Sequence, residues 1–187
     1  MIEINELSHL SETEAEAIGA ALAAAVRPVA PASGALAKLL SAVANPWARA
    51  LGRFAALVDL PTELAARLLD RAQAGLGWVP GPLPGVSLVH LDGGPATTGA
   101  DVGIVRIPPD GEFPPHAHLG AESIVLLEGE YVDSAGYVLR AGDVETREPG
   151  APHAFHAGPH GVVFAVVLRE GIAVEDPAGG PPIVVKG

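Results

Sequence analysis

Two of the chain's seven histidines stand one residue apart in "PPHAHLGAES", residues 114–123. If this stretch is extended, His116 and His118 project to one face and Ala117 to the other, because side chains alternate along a strand. Two imidazoles on one face can ligate a single ion. Glu122 follows after a short turn through Gly120 and can present a carboxylate from the start of the next strand. Two histidines and a carboxylate supply a facial metal site with open positions. A fourth ligand has to come from elsewhere, and "PGAPHAF" offers His153, after another Pro/Gly turn and at the edge of another strand-like run. Scattered histidines in a β domain are ordinarily surface or satisfied core residues. Here the His-x-His pair, the trailing acid and the distant histidine agree with one another, and agreement of that kind is what lifts a motif above chance.

The other histidines fit less well. His156 lies three residues after His153 and faces the opposite way on a strand, which makes it a rim residue. His160 sits in "GPHG" and reads as an exposed turn. His90, in "LVHL", can border a cavity or lie outside it. His9 is the only histidine of the first half and has no partner there, so it reads as exposed. Glu145 and Arg147 alternate along one run and read as either a polar outer face or a lining, the outer face being the commoner case for an antiparallel sheet. Glu128 and Glu130 bracket Gly129 and read as a solvated hairpin tip.

Composition narrows the chemistry. The chain holds no cysteine, so disulfides, thiolate zinc sites and cysteine nucleophiles are excluded. Any ion must be held by histidine and carboxylate, which suits Zn, Fe, Mn or Ni better than soft copper(I). The formal net charge is −11, most of it after residue 75. A chain this acidic has no surplus of cations to neutralise phosphates, so no direct nucleic-acid binding is expected, and anionic lipid would repel it. The start is acidic where a secretory signal is basic, and no apolar run reaches the roughly 18 residues of a spanning helix. The expectation is a cytoplasmic protein with no membrane association.

These residues must be positioned by two regions of different pattern. Residues 1–75 read as a helical N-terminal domain. "SETE" is a capping box from Ser11 to Glu14, and Ile18, Leu22 and Val26 form the stripe of the helix it opens. A second helix is expected over 33–43. A third opens at Pro46 and carries Trp47, Leu51, Phe54, Leu57 and Val58, and a fourth opens near Pro61 and stops before Gly75. Residues 76–85 form a Pro/Gly linker. From 86 to 187 short β-type runs follow one another with turn residues between them: "VSLVHL", "VGIVRI", "SIVLLEGEY", "YVLR", "DVETRE", "HAFHA", "GVVFAVVL" and "PIVVK". Such spacing reads as a sandwich or barrel.

Residues 111–129, "GEFPPHAHLGAESIVLLEG", resemble the first motif of the cupin superfamily, with four residues rather than five between Gly111 and His116. Residues 142–155, "GDVETREPGAPHAF", resemble the second, with a contracted proline–glycine spacing and without the asparagine that often follows the histidine. The resemblance covers about residues 80–170 and implies a mainly β fold: a double-stranded β-helix (cupin or jelly-roll barrel) behind an N-terminal α-helical segment. It also implies that His116, His118, Glu122 and His153 converge in the barrel mouth on one divalent ion.

The finer resemblance is to ChrR-like cupins, the metal-binding part of some anti-sigma factors. "HAHLGAES" is similar to their His-x-His-x-x-Gly-x-Glu, "GEYVDSAGYVLRAGD" to their hairpin between the motifs, and "LPTELAARLLDRA" to their helical lead-in. In that family the helical half binds a sigma factor and carries its own zinc through a His and a Cys-x-x-Cys. That second zinc site is excluded in a chain without cysteine.

The resemblance implies a regulatory module in which the barrel holds an ion, zinc foremost, and the helices grip a protein partner. The alternative is an iron(II) dioxygenase that cleaves a carbon–carbon bond in a small diketone or hydroxyketone bound at the metal, with Val125, Leu127, Phe155 and Phe164 facing the ion. Barrels of this type often pair, so a homodimer is expected.

Overall fold

The structure is a computed structural model that describes residues 11–25, 30–36, 45–150, 152–176 and 180–186. His9 and residues 37–43 of the helix expected over 33–43 lie outside these. The chain divides into two compact units, Met1–Leu39 and Leu40–Gly187.

In the first unit, helix α1 (Glu12–Ala25) opens on the capping box expected from "SETE". The backbone N–H and hydroxyl of Ser11 donate to Glu14 Oε2 at 3.0 and 2.7 Å, and the Glu14 N–H returns to Ser11 Oγ at 3.4 Å. Ile18 on the expected stripe is 45% exposed, and the rest of that stripe, the Leu22 side chain and Val26, lies outside the described residues.

In the second unit, α2 (Pro46–Leu57) is capped by Asn45, whose side chain accepts from the Ala48 N–H, and Pro46 sits in the first turn, where its missing N–H costs nothing. α3 (Thr62–Gln73) follows after a short turn. Among the described residues ten strands then follow: β1 (Val79–Pro80), β2 (Ser87–His90), β3 (Ala100–Ile107), β4 (Glu112–His118), β5 (Glu122–Asp133), β6 (Val138–Arg140), β7 (Val144–Arg147), β8 (His153–Arg169), β9 (Ile172–Val174) and β10 (Ile183–Val185). Runs expected as two strands, "HAFHA" and "GVVFAVVL", are one long strand, β8, and His160 lies within it rather than in a turn.

All pairings are antiparallel, and the sheet curls into a barrel around β8, which pairs β4 along its first half, β3 along its second and β5 along both. This is the double-stranded β-helix architecture expected from the sequence.

The strands are apolar on both faces, and the two faces do different work. Ile124 and Leu126 of β5, Val105 and Ile107 of β3, and Val162 and Phe164 of β8 pack inside the barrel. Their alternates, Val125, Leu127, Ile104, Val163 and Ala165, point outward into a second core completed by Trp47 and Phe54 of α2, Val58 just after it and Leu69 of α3. A sheet face can be apolar throughout only if something covers it, and the helix pair is that cover. Trp47 Nε1 donates to Glu128 Oε2 at 2.9 Å, and Arg53 donates to the Gly142 carbonyl.

Glu128 is exposed, as expected, but it lies within β5 rather than at a hairpin tip and accepts the Trp47 indole N–H. The β5–β8 register shifts between Leu126 and Glu128, placing Leu127 and Glu128 successively on the helix side. Gly129 then takes φ +75°, and a Cβ there would stand 2.0 Å from the Gly161 carbonyl oxygen, so no other residue fits this crossing of β5 and β8. After the bulge the inward parity is reversed: Tyr131 and Asp133, not their even-numbered neighbours, face the interior.

Candidate metal centre

His116 and His118 lie on β4, two residues apart and on one face, both buried. His153 opens β8 directly opposite, in register with His116. One ring nitrogen of each of the three lies within 4.8 Å of the others. Nδ1 of His116 donates to the Pro114 carbonyl at 2.9 Å, and Nδ1 of His153 donates to Asp133 Oδ2 at 2.7 Å. With those protons placed, Nε2 of both rings carries a lone pair. His118 Nε2 stands 2.9 Å from His153 Nε2. Two nitrogens binding one ion at right angles, each at about 2.1 Å, are about 3.0 Å apart. Glu122, at the start of β5, enters from the side of His118: its Oε2 is 3.7 Å from His118 Nδ1, beyond hydrogen-bond distance.

Electrostatics suit a cation. Burial, then the neighbouring imidazoles, lowers His116 and His118 to about 4, so both are neutral at pH 7. Burial, reinforced by Glu145, pushes the Glu122 carboxyl up to about 7, with Arg147 opposing. Buried His118 Nδ1 has no hydrogen-bond partner, and a buried polar atom left unpartnered is costly. Two imidazoles kept neutral by burial, a third whose Nδ1 is taken by Asp133, and a carboxyl raised by burial together fit a divalent ion. Bound there, such an ion would supply Lewis-acid and templating chemistry.

Around this cluster lies a polar layer that sequence reasoning missed or placed outside. Burial pushes Asp133 up, but the Ala135 N–H, His153 and Arg147 outweigh it and hold its carboxyl below the ordinary range. Glu145 and Arg147 line the interior rather than an outer face. Glu145 accepts from Tyr131 OH at 2.7 Å and from Tyr137 OH at 2.6 Å, and Arg147 Nη2 is 3.0 Å from Glu145 Oε1. Burial raises Glu145, and burial with Glu145 raises Tyr131 further still.

A cavity of about 370 Å³ adjoins the histidines. Phe113, Tyr131, Phe155 and Phe164 wall it, and His116, His153 and Glu122 supply much of its polar end. Phe113 and Phe155 stack at 5.0 Å between centroids, and Phe113 meets His116 edge-on at 4.7 Å. Of the four apolar residues expected to face the ion, Phe155 and Phe164 do line the cavity. Val125 and Leu127 do not: Glu122 and Ile124 point in, so Val125 points out, and the bulge leaves Leu127 on the helix side as well. His90 borders the cavity. His156 is exposed, 4.0 Å from Glu112, and takes no part in the cluster.

A curled antiparallel barrel with three inward histidines at its mouth defines a cupin. The chain belongs to the ChrR cupin-like family, whose sequence profile matches residues 71–171. A search of curated proteins found no match. Among solved structures, an acetylacetone dioxygenase from Acinetobacter johnsonii superimposes with a TM-score of 0.50 at 20% identity, over 59% of this chain and 79% of that one. An RmlC-like cupin from Ralstonia eutropha JMP134 gives a TM-score of 0.51 at 17% identity, over 58% and 73%. The complex of Rhodobacter sphaeroides SigE with the anti-sigma ChrR gives 0.49 at 24% identity, over 82% and 75%. The first two share the fold. Among the described residues no helix is long and apolar enough to cross a membrane.

Proposed function

We propose that this chain is a metal-binding regulatory cupin of the ChrR kind. The barrel holds one divalent ion, zinc foremost, on His116, His118, His153 and Glu122, and the helical segment ahead of the barrel engages a protein partner, a sigma factor by the family's precedent. The observation that carries the metal part is the convergence of three buried imidazoles within 4.8 Å, two of which have Nδ1 bonded to an acceptor and so a bare Nε2. Membership of the ChrR cupin-like family supports the regulatory part. The test is capture of the host's sigma factors by the zinc-loaded full chain. Retention of one of them is the expected result, and failure to retain any contradicts the regulatory reading.

The apolar cavity beside the histidines supports a second reading, a cupin dioxygenase acting on a small diketone or hydroxyketone. Its walls accept an apolar body, and its polar end places the ligand's oxygens beside the histidines. Oxygen uptake by the iron(II)-loaded chain with small diketones would favour this reading, and silence across a broad panel would favour the regulator.

With Glu122 as a ligand, ion affinity depends on pH with a definite sign. Its carboxyl is pushed up to about 7, so below that pH an ion must displace its proton. His116 and His118, lowered to about 4, contribute only at much lower pH. Zinc affinity is expected to rise about tenfold per pH unit between about pH 5.5 and 7, then level off. Calorimetric titration in buffers of different ionisation enthalpy checks this, with about one proton released at pH 6 and few at pH 8. Glu122→Gln is expected to flatten the profile.

A further inference from the structure

His153 is held by a carboxylate, and that carboxylate by a guanidinium. Asp133 closes β5 with its side chain 1% exposed. Its Oδ1 takes the Ala135 N–H at 2.8 Å, while Oδ2 faces both His153 Nδ1 at 2.7 Å and Arg147 Nη2 at 2.6 Å. Arg147 in turn reaches Glu145 Oε1 at 3.0 Å and bonds the Tyr137 hydroxyl. The two acids thus share one cation, which stands on a neighbouring strand and cannot shift without breaking both contacts.

We propose that Asp133 and Arg147 are the positioning residues of the centre. Asp133 accepts the Nδ1 proton of His153 and so fixes the tautomer whose bare Nε2 points at His118. Arg147 holds Asp133 in the orientation that does this and keeps it apart from Glu145. Outer partners of this kind set the ring orientation and basicity of a ligating histidine, and their loss ordinarily costs about 10–100-fold in metal affinity. The inference rests on the reading of His153 as a ligand. The bland alternative is an ion pair that merely ties down the hairpin after β5. Such a pair would affect melting but would leave the imidazole free to choose either tautomer.

The experiment uses the full chain, labelled with ¹⁵N-histidine. In the metal-free wild type, long-range proton–nitrogen correlation is expected to show His153 protonated on Nδ1 and bare on Nε2. Asp133→Asn is expected to populate the other tautomer and to weaken zinc binding by about 10–100-fold at unchanged stoichiometry. Arg147→Met is expected to move both readouts in the same direction, and Arg147→Lys to restore most of the affinity. The wild-type spectrum alone decides the matter if the variants fold poorly. A His153 ring protonated on Nε2 in the wild type, or an Asp133→Asn variant that binds zinc within twofold of wild type, overturns the positioning role. Failure of the wild type itself to bind zinc overturns the metal reading instead.

Discussion

His153→Ala is expected to abolish stoichiometric zinc binding, with affinity falling on the order of 1000-fold. The loss exceeds the roughly 10–100-fold expected for an outer partner because it removes one of three imidazoles that meet within 4.8 Å and strands Asp133 without the ring it serves. Competition with a chromophoric chelator reads the loss directly. A second readout is thermal. An ion at 1000 times its dissociation constant stabilises the native state by about 4 kcal/mol, so zinc raises the melting temperature of the wild type and leaves that of the variant unmoved. His116→Ala and His118→Ala are expected to behave alike. Replacing exposed His156 leaves binding unchanged, which separates loss of a ligand from loss of a nearby imidazole.

Phe54→Ala is the largest expected effect on stability. Phe54 is 0% exposed and sits on the stripe of α2 that packs in one core with Ile104, Val125, Leu127 and Ala165. Truncating such a ring leaves a cavity that cannot collapse against rigid strands, at a cost of about 3–5 kcal/mol. For a chain of this length that corresponds to a fall in melting temperature of about 6–20 °C. Because the same strands bear the inner core on their other face, helix pair and barrel are expected to unfold in one transition followed equally by far-ultraviolet circular dichroism and tryptophan fluorescence. Ile18→Ala on exposed α1 is expected to change stability by no more than about 0.5 kcal/mol. A barrel transition unmoved by Phe54→Ala would show that α2 is not part of that core.

Much of the histidine cluster is legible in the residues themselves, because its logic is local. Alternation along β4 puts His116 and His118 on one face, and the Pro/Gly turns announce where Glu122 and His153 begin their strands. The supporting layer is less legible because its logic is not local. Asp133 reaches His153 only because the bulge at Leu127–Glu128 reverses the parity of β5. Counted evenly from Glu122, Val125 and Leu127 fall on the outer face where they lie, but Asp133 would wrongly point outward as well. Glu145 and Arg147 look like an outer face from their alternation alone, and what turns them inward is the pairing of β7 with the first part of β5.

The helices tell a similar story. Their openings are written in Ser11, Glu14 and Pro46, whereas the surface that receives Trp47 and Phe54 is scattered over β3, β5 and β8. A pattern of two apolar faces on those strands was the available clue. It asks for a cover on the outside of the barrel, and the nearest amphipathic segments in the chain are α2 and α3.

The account depends most on a cation shared by the three imidazoles, and elemental analysis of the purified full chain tests it most directly. One divalent ion per chain, zinc foremost, retained through dialysis and lost on chelation, is the expected result. A chain that carries no ion above background, even after incubation with zinc, iron(II), manganese(II) and nickel(II) in turn, would contradict it.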